Sequence, residues 1–448
     1  MHSHKRRRLG EVALHTTSIA TPPLPILLHG HKVVTPAGIL SPGYILIAST
    51  GTITSITSTP PHVNSNVRTR SAPLIVPGFV DIHNHGVGGA EDVVDYWNNP
   101  SYTLHRLARL GTTSVLSTVV FPDGQLERSK HTCQQISSCV NTTEYGCVLR
   151  GIHGEGPIVA TLGGLPDSSK QTASKTASFD EFLEQVVGPH LKIMTISPSA
   201  DAARQYERIQ CLAARNVRVS LGHDKNCTEQ DILGALHAVA PDRCHMTHAF
   251  NVQQFHHRNS GLANFALVGT FPNLPCFQGI EPPTVEVIGD LKHVSALTLR
   301  ALLGARSTRD VCVITDAIAE NVPGKQMKYS SDRWAEVSAD GETVNIAGTS
   351  LLCGSCTNMH ATFQRMVHVL GVDLMDAVQL TATTPARIVG LDDVVGSIQV
   401  GLQGDVLLLD EGELTLLGVV VSGREIWSCD SPNELRLPRP SSSSSSSS

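Results

Sequence analysis

Nowhere does the 448-residue sequence offer the ~18 uninterrupted apolar residues that crossing a bilayer requires. The N-terminus lacks an apolar signal core as well. Met1-His2-Ser3-His4 leads into Lys5-Arg6-Arg7-Arg8, and no sustained hydrophobic segment follows before the first strand-like run, which argues against a secretory signal. Basic charge is not in excess: 34 Lys and Arg stand against 40 Asp and Glu, with no RNA- or DNA-reading motif, so the electrostatic footprint of a nucleic-acid binder is missing. The Lys5 to Arg8 run is short enough to read as a solvated tail rather than a nuclear address. A second cysteine pair is also lacking. Cys353-Gly-Ser-Cys356 has redox or zinc-knuckle spacing but stands alone, and eleven Cys without a signal read as reduced thiols rather than a disulfide framework. These absences leave the expectation of a cytoplasmic protein that handles a small molecule, with neither membrane nor nucleic acid as partner. What is present fits: 41% hydrophobic and 17% charged residues describe an ordinary globular chain, long enough for a large domain plus a small one.

Short strand-like runs separated by Gly, Pro and Ser (Pro25-Ile-Leu-Leu, Tyr44-Ile-Leu-Ile-Ala, Gly51-Thr-Ile-Thr-Ser-Ile) predict a small β-unit over residues 26–76. From Pro77 to Leu391 the pattern changes to apolar runs alternating with helix-like stretches. The runs are Thr113 to Val120, Cys147 to Ile152, Ile193 to Ser197, Val217 to Leu221, Cys244 to Thr247, Cys276 to Ile280 and Val311 to Thr315. With the run leading into His83 this makes about eight βα units, the content of a TIM (β/α)8 barrel. Strand-like segments return after Leu391 (Val395-Gly-Ser-Ile, Gly404-Asp-Val-Leu-Leu-Leu, Val419-Val-Val-Ser-Gly-Arg). Residues 392–428 are therefore expected to pair with 26–76 in one small β-sandwich domain, with the barrel, 77–391, inserted between them. Residues 1–25 and the Ser-rich 429–448 read as disordered tails.

Chemistry-bearing residues fall at the ends of the apolar runs. His83 and His85 follow Ile75-Val-Pro-Gly-Phe-Val-Asp, and the two-residue period of a strand sends both imidazoles to the same side, where one cation can be gripped by both. Glu155, His223, His248 and Asp316 each follow a later run. TIM-barrel sites gather at the C-terminal ends of the strands, so these residues are expected to converge. His, Glu and Asp together form a donor set for a divalent cation that leaves room for water. Taken singly, each histidine could equally be a satisfied core residue; the coincidence at five strand ends carries the reading.

Pro77-Gly-Phe-Val-Asp-Ile-His-Asn-His-Gly, His153-Gly-Glu-Gly-Pro, Gly222-His223, Thr247-His-Ala-Phe-Asn with His256-His-Arg, Ile314-Thr-Asp-Ala, Gly354-Ser355 and Thr381-Ala-Thr-Thr-Pro-Ala-Arg, in this order, resemble the N-acetylglucosamine-6-phosphate deacetylases of the amidohydrolase superfamily. The resemblance implies Glu155, His223 and His248 as ligands of a principal metal, Asp316 as the catalytic carboxylate, and His83 and His85 as ligands of a second ion. One or two divalent cations per subunit, zinc first, are implied with them. It further implies substrate contacts at Asn251, Val252, His257, Arg258 and His293 and along Leu352, Cys353 and Gly354, and a homodimer. Arg with His suits a phosphate, since guanidinium binds phosphate oxygens bidentately.

Three segments depart from the family pattern. Asn251-Val252-Gln253 stands for Asn-Ala-Met, Gly289-Asp290-Leu291-Lys292 for an Ala-Asp-Gly segment, and Ile158-Val-Ala-Thr-Leu-Gly-Gly-Leu-Pro for a basic, Gly-Ala-His-containing stretch. All three touch the expected substrate pocket and none the ligands. The first expectation is hydrolysis of N-acetylglucosamine 6-phosphate to glucosamine 6-phosphate and acetate. The second keeps the deacylation on an unphosphorylated N-acetyl sugar or another N-acyl small molecule. A barrel that has lost catalysis is the third, and the retention of every ligand and of Asp316 speaks against it.

Overall fold

The computed structural model describes residues 24–88, 92–166, 169, 178–331 and 333–429. The basic run Lys5 to Arg8 and the Ser441 to Ser448 tract lie outside them. Nineteen strands follow in chain order among the described residues, the first five from the N-terminal segment: β1 (Ile26–Thr35), β2 (Gly38–Leu40), β3 (Gly43–Ile47), β4 (Ile53–Thr57) and β5 (Arg68–Pro77). Eight barrel strands come next: β6 (Phe79–Asn84), β7 (Thr112–Val120), β8 (Val148–Glu155), β9 (Leu191–Ile196), β10 (Arg218–Leu221), β11 (Cys244–Met246), β12 (Thr284–Ile288) and β13 (Val311–Ile314). A three-stranded antiparallel sheet, β14 (Gln326–Lys328), β15 (Trp334–Val337) and β16 (Val344–Ile346), is set between β13 and the last barrel helices. The C-terminal strands are β17 (Val406–Leu409), β18 (Leu416–Val421) and β19 (Arg424–Ser428).

β6 to β13 lie side by side in sequence order, every pair parallel. Their residues are almost all buried, as expected of strands covered on both faces. The ring closes through backbone bonds between its first and last strands: the Asp316 N–H donates to His83 O at 2.9 Å and the His85 N–H to Ala317 O at 2.8 Å. Helices such as Pro100–Arg109, Glu229–His237 and Ala296–Ala305 form the outer layer. Glu229–His237 begins with a reciprocal cap, the Asp231 N–H donating to Thr228 Oγ1 at 3.2 Å and the Thr228 N–H to Asp231 Oδ2 at 2.8 Å.

The two flanking segments share one eight-stranded sheet, β5 running parallel to β1 and antiparallel to β17. The sheet curls until the Gly404 N–H donates to Gly51 O at 2.7 Å, which encloses Ile26, Leu28, Ile45, Ile47, Ile75, Val406 and Val420 as a separate apolar core. Two expected strands are absent. Cys276 to Ile280 forms a 3-10 turn opened by Pro275, and Gly279 takes φ +76°; the barrel strand is β12, a few residues on. Val395 to Ile398 also lies outside any strand, with Gly396 at φ +91°.

Arg150 on β8 fastens the barrel to the flanking sheet. Its buried guanidinium donates to Ser114 Oγ at 3.1 Å and Gln403 Oε1 at 2.6 Å, and stands 3.9 Å from the buried carboxylate of Asp405. Burial pushes the Asp405 carboxyl above its usual range despite the pull of Arg150. Replacing Arg150 by Met leaves that carboxylate without a cation and is expected to destabilise the protein by about 3 kcal/mol. Chemical denaturation checks this, and a change below about 1 kcal/mol would contradict the bracing role.

Candidate metal centre

Asn84, the last residue of β6, is fixed from below. Buried Asp81 accepts from Thr315 Oγ1 at 2.6 Å and from Asn84 Nδ2 at 3.1 Å, tying the end of β6 to the end of β13. Burial raises the Asp81 carboxyl to about 6 against these bonds. The same end of the barrel receives Glu155 from β8, His223 just beyond β10, His248 just beyond β11 and Asp316 just beyond β13. His223, His248 and Asp316 sit at φ values of 51°, 24° and 50°, in the left-handed region. Such backbone costs about 1–3 kcal/mol per residue, and it turns each side chain back over the mouth of the barrel.

The side chains meet around Glu155, which is 2% exposed. Its Oε1 lies 2.9 Å from His223 Nε2 and 3.2 Å from His248 Nε2, and those two nitrogens are 3.0 Å apart. Its Oε2 lies 3.2 Å from His85 Nε2. Asp316 Oδ1 stands 3.3 Å from His85 Nε2 and 3.4 Å from His83 Nε2. Two donor groups result, Glu155 with His223 and His248, and His83 with His85 and Asp316, and Glu155 touches both.

Proton positions decide whether these groups suit a cation. His223 Nδ1 faces Thr161 O at 3.0 Å, and a carbonyl only accepts, so the proton of a neutral ring sits on Nδ1 and Nε2 presents a lone pair. His83 behaves alike, its Nδ1 facing Glu286 Oε1 at 2.6 Å. Lone pairs on His83 and His223 thus point at carboxylate oxygens, a repulsive arrangement that a cation between them turns attractive. The buried atoms His83 Nε2, His85 Nδ1 and His248 Nδ1 make no hydrogen bond. Without an ion the electrostatics press in the same direction. Burial alone would lower the His83 imidazole, but Glu286, Asp316 and Glu155 outweigh it and raise it to about 10. The residues fit divalent cations at both groups. His83, His153 and Glu286 also lie close together. His153, however, is satisfied, Nδ1 at 3.0 Å from Ile82 O and Nε2 at 2.9 Å from Thr195 Oγ1, so it is a framework residue.

A cavity of about 30 Å³ opens over the centre. Asn251, Leu352, Cys353 and Gly354 line it as the sequence suggested, as do Gly164 and Leu165 from the divergent 158–166 stretch, and they are joined by Ile318 and Tyr329, which the sequence did not suggest. Gly354 is required by close approach: at φ +91° its backbone passes so near that a Cβ would lie 2.8 Å from Ile318 Cγ2. Gly164 is wedged likewise, a Cβ there falling 2.7 Å from Leu352 O, and its carbonyl accepts from the Tyr329 hydroxyl at 2.9 Å. Val252 packs on Gly163 beside the cavity without lining it. His257 and Arg258 are exposed and stand apart from the lining, and His293 is held by Asp290, Nδ1 to Oδ2 at 2.7 Å. Larger clefts of about 500 and 440 Å³ lie elsewhere and contain none of the candidate ligands. Glu286, a single carboxylate in the apolar strand β12, is the main residue the sequence reading passed over; a lone Glu in an otherwise buried run was its only signal.

The sequence model of the amidohydrolase family matches residues 74–426, the whole barrel with parts of both flanking segments. The chain belongs to this family. Amidohydrolases are metal-dependent, in keeping with the donor groups just described. This amidohydrolase is 26% identical over 364 residues to the N-acetylglucosamine-6-phosphate deacetylase of Rattus norvegicus, covering 80% of this chain and 84% of the rat protein. It is 27% identical over 401 residues to the N-acetylgalactosamine-6-phosphate deacetylase of Escherichia coli O157:H7, covering 86% and 95%. Among solved structures, the N-acetyl-D-glucosamine-6-phosphate deacetylase of Mycobacterium smegmatis superposes with a TM-score of 0.75 at 24% identity, over 90% of this chain and 100% of that one. That likeness establishes the fold. No helix among the described residues of this amidohydrolase is long and apolar enough to cross a membrane.

Proposed function

We propose that the protein hydrolyses the N-acetyl group of a 6-phosphorylated 2-acetamido sugar, N-acetylglucosamine 6-phosphate first, releasing acetate and the amino sugar phosphate in the cytoplasm. The observation that carries the reading is the convergence of Glu155, His223, His248, His83, His85 and Asp316 at one end of the barrel. The names of the curated relatives give the substrate class.

Glu155, His223 and His248 would hold one cation, His83 and His85 with Asp316 a second, zinc being suited to imidazole and carboxylate donors. Such a cation polarises an amide carbonyl and lowers the pKa of water toward ~7. The chain's own residues do the rest. Burial raises the Asp316 carboxyl, but His83 and His85 outweigh it and hold it below the usual carboxylate range, so it is ionised at neutral pH and ready to take a proton from the attacking water. The same carboxyl then returns that proton to the departing sugar nitrogen, which leaves as an amine. Leu165, Ile318, Tyr329 and Cys353 give the small cavity an apolar wall suited to the methyl of an acetyl group, and Asn251 gives it a polar group for the sugar. Arg258 and His257 stay available for the phosphate, in the homodimer that the family resemblance suggests.

A deacylation panel tests this: N-acetylglucosamine 6-phosphate, its galacto epimer, the unphosphorylated sugars and the N-butanoyl analogue. Acetate release is expected from the phosphorylated sugars, with the butanoyl compound slower by at least tenfold. Turnover of free sugars alone would overturn the phosphate reading.

A further inference from the structure

Glu286 is a fully buried carboxylate in direct contact with two of the donor residues, His83 and His248, and the deacylation does not use it. It stands on β12, is 0% exposed, and accepts three hydrogen bonds, each from a group that shapes the site. Oε1 takes the His83 Nδ1 proton at 2.6 Å and also accepts the His248 backbone N–H at 3.2 Å, where the chain turns at φ 24°. Oε2 lies 3.1 Å from His245 Nε2, and His245 Nδ1 lies 2.8 Å from Thr284 Oγ1, so a second buried ring keeps the carboxylate in place.

We propose that Glu286 is the positioning residue that makes His83, His85 and Asp316 a cation site, by locking the His83 lone pair inward and supplying the counter-charge for a second ion. This rests on the metal-dependent reading of the centre. The charge balance supports it. Glu155, Asp316 and Glu286 are buried carboxylates at the centre, with Asp81 directly beneath it, and among the described residues none of the four forms an ion pair with a Lys or Arg. Removing the Glu286 charge makes the buried site one unit more positive for any given number of bound cations, which disfavours the second ion. Glu286 also removes an ambiguity that imidazole alone has, since His83 with its proton on Nε2 could not ligate at all.

Zinc titration of the full chain, with bound metal counted by elemental analysis after equilibration at buffered free zinc, tests the assignment. The wild-type protein is expected to bind two ions. Glu286→Gln keeps the shape and removes the charge. It should bind the ion at Glu155, His223 and His248 with unchanged affinity, while the second binds 10- to 100-fold more weakly, the usual effect of losing a partner behind a ligand. Glu286→Asp keeps the charge on a shorter arm and, should the Gln variant not fold, gives the same readout with a smaller loss. A merely structural role would lower the melting temperature and leave the per-site zinc affinities equal to wild type; that result, or a wild-type protein that saturates at one ion, overturns the proposal. Acetate release by the wild type is scored separately, so a failure of the deacetylase reading is distinguishable from a failure here.

Discussion

Glu155→Gln is expected to strip the protein of both metal ions and to lower acetate release by more than ~10⁴-fold, a barrier increase of about 5.5 kcal/mol. Its carboxylate offers an oxygen to the donor atoms of both groups: Oε1 meets His223 and His248, and Oε2 meets His85. The amide that replaces it carries no charge and turns one of its two edges into a donor, which faces bare imidazole nitrogens well but cations badly. Burial alone would favour a neutral Glu155, yet the surrounding histidines hold its carboxyl well below the usual range, so the wild-type group is charged and the substitution removes a real charge. Elemental analysis and the deacylation assay together check the expectation. A Gln variant that retained two ions would remove Glu155 from the centre of the account.

Asp316→Asn should behave differently, keeping its principal metal and its substrate while turnover falls by on the order of 10³-fold. The backbone there is fixed by the barrel closure, with the Asp316 N–H on His83 O and the Asp316 carbonyl accepting from the Ser355 N–H at 2.8 Å, so the isosteric amide has no reason to move. What it cannot do is carry a proton from water to the sugar nitrogen. The loss therefore falls on kcat, with KM little changed. A variant within tenfold of wild type in a zinc-replete preparation would mean that another group moves the proton.

The barrel and the side chains that converge at its mouth were legible in the sequence because each βα unit repeats the same grammar, an apolar run ending in a polar residue. His83, Glu155, His223, His248 and Asp316 all stand where such a run stops. The failures have the same origin. Cys276 to Ile280 has the run but not the freedom from Pro and Gly that a central strand needs, while Thr284–Ile288, the true β12, carries Glu286 in its middle and so reads as interrupted. Tyr329 was out of reach for another reason: it follows a three-residue strand, β14, in a sheet whose other strands have four and three residues, and strands of that length leave no periodic signal. Expected substrate residues divide by exposure. Asn251 and Leu352 to Gly354 reach the cavity, whereas His257 and Arg258 occupy a surface segment whose role no local pattern reveals.

Because the ring is sealed at the very residues proposed to bear the chemistry, completion of the site is tied to the order of folding. Thr315 and Asp81, which bond across the seam, are 234 residues apart in the chain. Closing so distant a contact is slow relative to forming each neighbouring βα pair. A chain still emerging from the ribosome can already present His83 and His85, yet it has no Asp316 to complete their pocket until seven more strands have formed. On the proposed metal reading, His83 and His85 gain their full donor set only when the last strand closes against the first, so partly folded intermediates lack a complete site.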